Sequence, residues 1–527
     1  MADRPVPTEP TGPGSVPARV TVTGARAAVA AGWSGGLLGT KIVPPTIPGG
    51  FLRRQRLQDR LDAAVTGPVT VVSAGAGSGK TLVVADWARA VAAAQVAGAP
   101  RVAWLALDRD DNEPTLFWSG VTAALRASGA VPAGSPLSGL ALEQGVTAQG
   151  MRALRLGLND MTPGSVLVLD DFQVIDHPEI LESVAVLLRH ESPLRLVLIS
   201  RADPVLPLHR LRVSGGLHEI RAADLAFDRG EADDFLRLNG HALPEPDVAL
   251  LVERTEGWAA GLRLAAMFLA RDPGPGRAGQ FAGDDRAVVE YLLAEVIAGH
   301  PPRTREFLLR TCTPQRICGD LADTLVDGGH GQRAFEELER ANTFITAVGP
   351  HRSWYRYHPL LRETLLHELR TQHPVLHVEL HRRAARWFAD HTAPVQALRH
   401  AADAHDWALL GELFVSTAGP RILSADRQAV NEVLDRIPDT EISRTAALAA
   451  CAAARLEYAG RFAEIPAVLT RGQRMLATTG ACHLRTRVGD AVPSVRFAQP
   501  GSAHPPRTMR PRTPGLWNEG LPRAAPR

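Results

Sequence analysis

The chain has 527 residues, of which 45% are hydrophobic and 22% charged, and its formal net charge is +2. This length suggests about three or four domains with real cores, and the balanced charge gives no global field for nucleic acid or an acidic surface. No stretch reaches the length and apolarity of a membrane span.

Residues 1–40 are rich in Pro, Ala, Gly and Thr and lack the continuous apolar core of a signal peptide, so they read as a disordered extension. From 41 to 235, strand and helix patterns alternate. The apolar run Val69-Thr70-Val71-Val72 leads into Ala74-Gly75-Ala76-Gly77-Ser78-Gly79-Lys80-Thr81, and a helical pattern begins at Leu82. Strand, glycine loop and helix are the context of a phosphate-binding loop. Ala74 stands where the motif has its first glycine, and Gly75, Gly77 and Gly79 keep the loop pliable. Backbone N–H groups around Ser78 can turn toward an anion at the positive end of the helix. Lys80 is one of two lysines, with arginine supplying every other basic charge. A compact ammonium suits the space between the β- and γ-phosphates of ATP, and the Thr81 hydroxyl suits Mg²⁺.

Next come the strand Val102 to Leu107 and helices at Thr115–Arg126 and Gln149–Leu158. Strands at Ser165–Leu169 and Leu194–Ser200 follow with a helix between them, then a short strand near Leu217–Ile220. Continuous apolar strands alternating with helices imply a parallel α/β sheet covered on both faces. The extra strand between glycine loop and acidic strand fits the additional-strand class of P-loop nucleoside triphosphatases. The run Val166-Leu167-Val168-Leu169 ends in Asp170-Asp171. A buried strand ending in acid puts Asp170 beside the phosphate loop to hold Mg²⁺, and Asp171 in place to orient or deprotonate water. The strand ending at Ser200-Arg201 should lie between those two, so Arg201 would face the γ-phosphate and act in catalysis.

Residues 236–300 read as a helical domain, interrupted by Gly257-Trp258-Ala259-Ala260-Gly261-Leu262, with Trp258 as core packing. Helices near Val288–Ile297 and Arg303–Arg310, then the aromatic strand Trp354-Tyr355-Arg356-Tyr357-His358, make 301–372 a winged-helix region. Residues 373–480 form a helical arm ending in one tetratricopeptide-like pair, Ala449–Tyr458 and Ala467–Leu476, with Pro466 at the second helix start. His400 and His405 read as surface residues. Residues 481–527, rich in Arg and Pro, read as a disordered tail. Cys312, Cys318, Cys451 and Cys482 show no metal-ligand spacing. Cys312 and Cys318 could pair, but scattered cysteines in a large chain point to reduced thiols and the cytoplasm.

These motifs in this order resemble the MalT-like branch of the STAND signal-transduction ATPases, the large LuxR-type transcriptional regulators. The resemblance rests on Lys41-Ile42-Val43-Pro44-Pro45 with Arg54, on Trp104 to Asp108, and on Asp170-Asp171-Phe172. It rests further on Ser200 to Pro204, Gly257 to Leu262, and Tyr357-His358-Pro359-Leu360-Leu361. It implies a switch, closed with ADP and active with ATP, with slow Mg²⁺-dependent hydrolysis, and a His358 that touches the β-phosphate of ADP. It also implies a small-molecule or protein inducer at the helical arm and self-association with ATP. Full members end in a LuxR-type helix-turn-helix, and nothing after Gly480 has that periodicity, so DNA binding is not expected from this chain alone. Asp323, Asp327, Glu336, Glu337 and Glu339 likewise offset the winged-helix arginines. Two alternatives stand beside the switch. One is a nucleotide-binding scaffold without turnover, and the other is a DNA-acting, initiator-like ATPase.

Overall fold

A computed structural model describes residues 38–94, 100–140, 148–188, 192–271, 274, 276–418 and 426–479. The expected tail at 481–527, Cys482 and all but the last residues of the expected 1–40 extension lie outside these. After helix α1 (Gln55–Ala64), the chain builds one sheet from β1 (Val69–Ser73), β2 (Val102–Ala106), β3 (Val166–Asp170), β4 (Arg195–Ser200) and β5 (Leu217–Arg221). Its order is β2-β3-β4-β1-β5, and every pairing is parallel. The strand after the acidic one therefore lies between it and β1, as the sequence predicts.

The apolar runs are continuous because both sheet faces are buried. Val69, Val71, Leu167, Leu169, Leu196 and Leu198 pack on one side with Phe117 and Trp118. Val72, Val166, Val168, Val197 and Ile199 pack on the other with Val84, Trp87 and Trp104. The covering helices are α2 (Lys80–Ala94), α3 (Pro114–Ala127), α4 (Ala148–Asn159) and α5 (Pro178–Leu187).

Helices α6 (Arg229–Leu238), α7 (Glu245–Thr255), α8 (Ala259–Arg271) and α9 (Arg286–Leu292) follow. The helix expected over Val288–Ile297 is α9 plus a π-turn, Leu293–Ile297. The winged helix comprises α10 (Pro302–Thr311), β6 (Ile317–Cys318), α11 (Gly319–Val326), α12 (Gly331–Arg340), β7 (Ile345–Val348) and β8 (Trp354–Tyr357). Its three strands pair antiparallel in the order β6-β8-β7. Two exposed arginines of this unit are paired with acids, Arg333 with Glu337 at 2.8 Å and Arg340 with Glu336 at 3.5 Å.

Helix α13 (Pro359–Gln372) leads to the arm: α14 (Pro374–Asp390), α15 (Pro394–Asp403), α16 (Trp407–Leu413), α17 (Arg427–Leu434), α18 (Ala446–Tyr458) and α19 (Ile465–Thr479). The last two are the tetratricopeptide-like pair, turned at Gly460 with φ 71°. One continuous apolar core runs from Phe227, just before α6, to Leu469 of the arm. Cys312, Cys318 and Cys451 are free thiols. His405 is exposed as expected, but His400 is buried, because it points from α15 toward α14 rather than to solvent.

Candidate phosphate-binding site

β1 ends at the sheet's carboxyl edge, and the chain then reverses into α2 through Ala74 to Gly79. Gly77 and Gly79 take φ of 68° and 82°, a region open to glycine without strain. The N–H groups of Gly75, Ala76, Gly77, Ser78 and Gly79 have no acceptor among the described residues. The carbonyls of this loop are engaged, however. Gly75 accepts from Ser78 Oγ at 2.9 Å, Ala76 from Trp258 Nε1 at 2.9 Å, and Gly77 from Ala260 N–H at 3.0 Å. Carbonyls occupied and amides unpaired make an anion cradle, which fits a nucleotide's phosphates.

Lys80 opens α2 and is 7% exposed. Its ammonium donates to the carbonyls of Ala74 at 2.7 Å and Gly75 at 2.9 Å, which fixes it over the loop and leaves a third N–H for an anion. Burial, then the Arg201 charge, lowers its pKa to about 8, against the opposing pull of Asp171 and Asp170. Thr81 Oγ1 donates to Asp170 Oδ1 at 3.0 Å, so the hydroxyl and carboxylate that suit Mg²⁺ already meet. Asp170 is 4% exposed, and burial, reinforced by the Asp171 charge, raises its pKa to about 6.

Asp171 follows in the left-handed region, φ 58°. Asp is among the few non-glycine residues that adopt this region readily. Gln173 connects it to Arg201: Nε2 donates to Asp171 Oδ1 at 2.9 Å, and Oε1 accepts from Arg201 N–H at 2.8 Å. The Arg201 guanidinium pairs with Glu295 of the π-turn at 3.3 Å. The structure thus brings Lys80, Thr81, Asp170, Asp171 and Arg201 to one sheet edge.

Helical region and winged helix close over this edge. Trp258 is buried as expected, but its indole also braces the phosphate loop. Its ring meets Tyr291, Phe344 and His358 edge-on, with centroids 5.6, 5.0 and 5.9 Å away. Asn342, just before the wing, donates through Nδ2 to Ser73 Oγ and to the Arg201 carbonyl, both at 3.0 Å. A Cβ on Gly75 would stand 2.8 Å from the Asn342 carbonyl oxygen.

His358 caps α13, accepting at Nδ1 from Leu360 N–H at 3.3 Å, while Nε2 lies 2.9 Å from the Thr255 carbonyl. Both ring nitrogens are therefore engaged within the protein, and burial lowers the pKa of this imidazole. Arg54 lies beneath the loop, its guanidinium 4.2 Å from the Phe227 ring centre and its buried Nε without a partner. Gln173, Asn342, Tyr291 and Phe344 were beyond sequence reading, since each is an ordinary residue made significant by distant contacts. Asn342 and Phe344 both take positive φ, a backbone feature with no signal in the sequence.

Strand order, phosphate loop and the acid at the tip of β3 define a P-loop nucleoside triphosphatase fold joined to a winged helix. Residues 293–377 match the MalT winged helix domain. The chain is 30% identical over 456 residues to the HTH-type transcriptional regulator MalT of Serratia proteamaculans, covering 84% of this chain and 48% of that one. It is 31% identical over 376 residues to the serine/threonine-protein kinase PknK of Mycobacterium tuberculosis, covering 70% and 33%. Over most of its length the chain is therefore MalT-like, and it spans about half the length of the MalT relative. The Walker-type ATPase PABY2304 of Pyrococcus abyssi aligns over 61% of this chain and 98% of its own at 14% identity and a TM-score of 0.45, which adds nothing to the strand order. No helix among the described residues is long and apolar enough to cross a membrane.

Proposed function

We propose that this chain is the nucleotide-controlled switch of a MalT-like transcriptional regulator, holding ADP in a closed form and ATP in an active one. The observation that carries the reading is that both accessory domains fasten onto the phosphate loop and its sheet edge, through Trp258 on Ala76 and Asn342 on Ser73 and Arg201. A ligand in that cradle is therefore also a ligand of the domain interface.

In this reading, Ala74, Gly75, Gly77, Ser78 and Gly79 shape the cradle, Lys80 meets the β- and γ-phosphates, and Thr81 and Asp170 hold Mg²⁺. The ion neutralises phosphate charge when bound. Asp171, held by Gln173, orients the attacking water, and Arg201 exchanges Glu295 for the γ-phosphate, so that hydrolysis is slow and resets the switch. His358 reaches the β-phosphate of ADP only by sharing Nε2–H away from the Thr255 carbonyl. An inducer on the helical arm favours exchange of ADP for ATP and self-association, in the cytoplasm.

The test is the release of a fluorescent ADP analogue. Asn342→Ala removes two bonds at the interface, together worth about 1–3 kcal/mol, and should speed release roughly tenfold. Unchanged release would remove the winged helix from the switch.

A further inference from the structure

We propose that His381, His400 and Asp403 form a binding site for a divalent first-row transition-metal ion of the zinc class at the seam between α14 and α15. The site lies in the arm, apart from the phosphate cradle, and rests on its own geometry.

His381 and His400 face each other from neighbouring helices, with their Nδ1 atoms 3.0 Å apart. Two imidazole nitrogens each about 2.0–2.1 Å from one ion lie about 3 Å apart for an angle near 90° and about 3.3 Å for a tetrahedral one. The separation is already that of two ligands on one ion. Asp403 is three residues beyond His400, so it shares that face of α15. Its Oδ2 lies 3.8 Å from His381 Nδ1, and the three ligand atoms all fall within 4.8 Å of one another.

The surroundings orient this set. Arg436 Nη2 donates to Asp403 Oδ1 at 2.7 Å, which leaves Oδ2 turned to the histidines. The rings of Phe388 and His377 lie against those of His400 and His381, at 5.3 and 4.6 Å. Such outer contacts fix ligand orientation in metal centres. Both histidines are buried. At 3.0 Å the facing Nδ1 atoms share one proton, and an ion would replace it as that ring moves its proton to Nε2. Arg362 is the nearby opposing charge, tied to the carbonyls of Thr313 at 2.6 Å and Pro314 at 3.3 Å. The Asp403 carboxylate offsets it. Two imidazoles and one carboxylate select zinc, cobalt, nickel or ferrous ions over calcium and magnesium, and leave room for water or a further ligand. The same helix α14 reaches the winged helix through Arg383 and Asp327, 2.7 Å apart, so an ion here would brace the arm next to that contact.

The test uses the full chain stripped of metal by a chelator, titrated with Zn²⁺ against a competing dye and with Co²⁺ by absorption. One Zn²⁺ per chain should bind, Co²⁺ should develop intense d–d bands, and Asp403→Asn should weaken both about 10–100-fold. Arg436→Ala should weaken Zn²⁺ about tenfold while leaving the Co²⁺ spectrum's shape unchanged. The double variant His381→Ala, His400→Ala controls for the other histidines among the 18 in the chain. Absence of Zn²⁺ binding in the parent, or equal affinity in the parent and the double variant, overturns the site. Parental affinity in Asp403→Asn, a half-buried position where folding is not at stake, overturns it independently.

Discussion

Trp258 donates its indole N–H to the carbonyl of Ala76 at 2.9 Å, so a side chain from the helical region holds the phosphate loop by its backbone. The bond is buried and joins residues 182 positions apart. Trp258→Phe keeps an aromatic ring but leaves that carbonyl unpaired, which costs about 1–3 kcal/mol. The variant should melt lower and release bound ADP faster. Release at the parental rate would make Trp258 packing alone.

Gly77 tests the same contact from the other side. A Cβ there would stand 2.6 Å from the Ala260 Cβ and 2.6 Å from the Tyr291 hydroxyl, at φ 68°. Gly77→Ala should therefore push the helical region off the loop. Limited proteolysis should then cut the segment between α9 and α10 faster than in the parent, with the P-loop sheet still folded by circular dichroism.

Lys80 gives a pH dependence with a definite sign. Its pKa of about 8 means that the free protein loses the ammonium charge above that pH, whereas an exposed lysine keeps it to about 10.4. Phosphate binds the charged form and raises its pKa, so binding above pH 8 requires proton uptake. ATP affinity should fall toward tenfold per pH unit from about pH 8 upward. Affinity flat to pH 10 would show that burial does not control this lysine. The same shift makes the nucleotide-free fold more stable as pH rises from 8 toward 10.4, because the unfolded chain then binds more protons.

Asp171 and Gln173 separate binding from turnover. Asp171→Ala should keep ATP affinity within about threefold and lower hydrolysis at least 100-fold, the scale of general-base catalysis. Gln173→Ala removes the bond that positions Asp171 and the one that accepts from the Arg201 N–H, and should cost about tenfold in rate with little change in affinity. Single-turnover phosphate release measures both, and parental rates in Asp171→Ala would remove it from the chemistry.

Much of the phosphate edge was legible because its chemistry is local. Glycines from 75 to 79, Lys80 and Thr81 are contiguous, and Asp170 and Asp171 end an apolar run whose burial follows from composition alone. Arg201 was placed at a strand end, but its pairing with Glu295 was not, because that glutamate is presented by a π-turn the helical pattern conceals. Asn342 and Gln173 act through bonds spanning 269 and 28 positions, which no periodicity encodes. His400 was misread as surface for a related reason. Its helix shows alanines on the same face, and only the packing of α15 on α14 turns that face inward.

Calorimetric titration of ADP and Mg-ATP into the nucleotide-free parent and into Lys80→Ala tests the nucleotide switch most directly. The parent should bind each nucleotide one to one, and Lys80→Ala, with the only ammonium in the cradle removed, should bind neither measurably. Equal affinities in the two proteins would contradict the account.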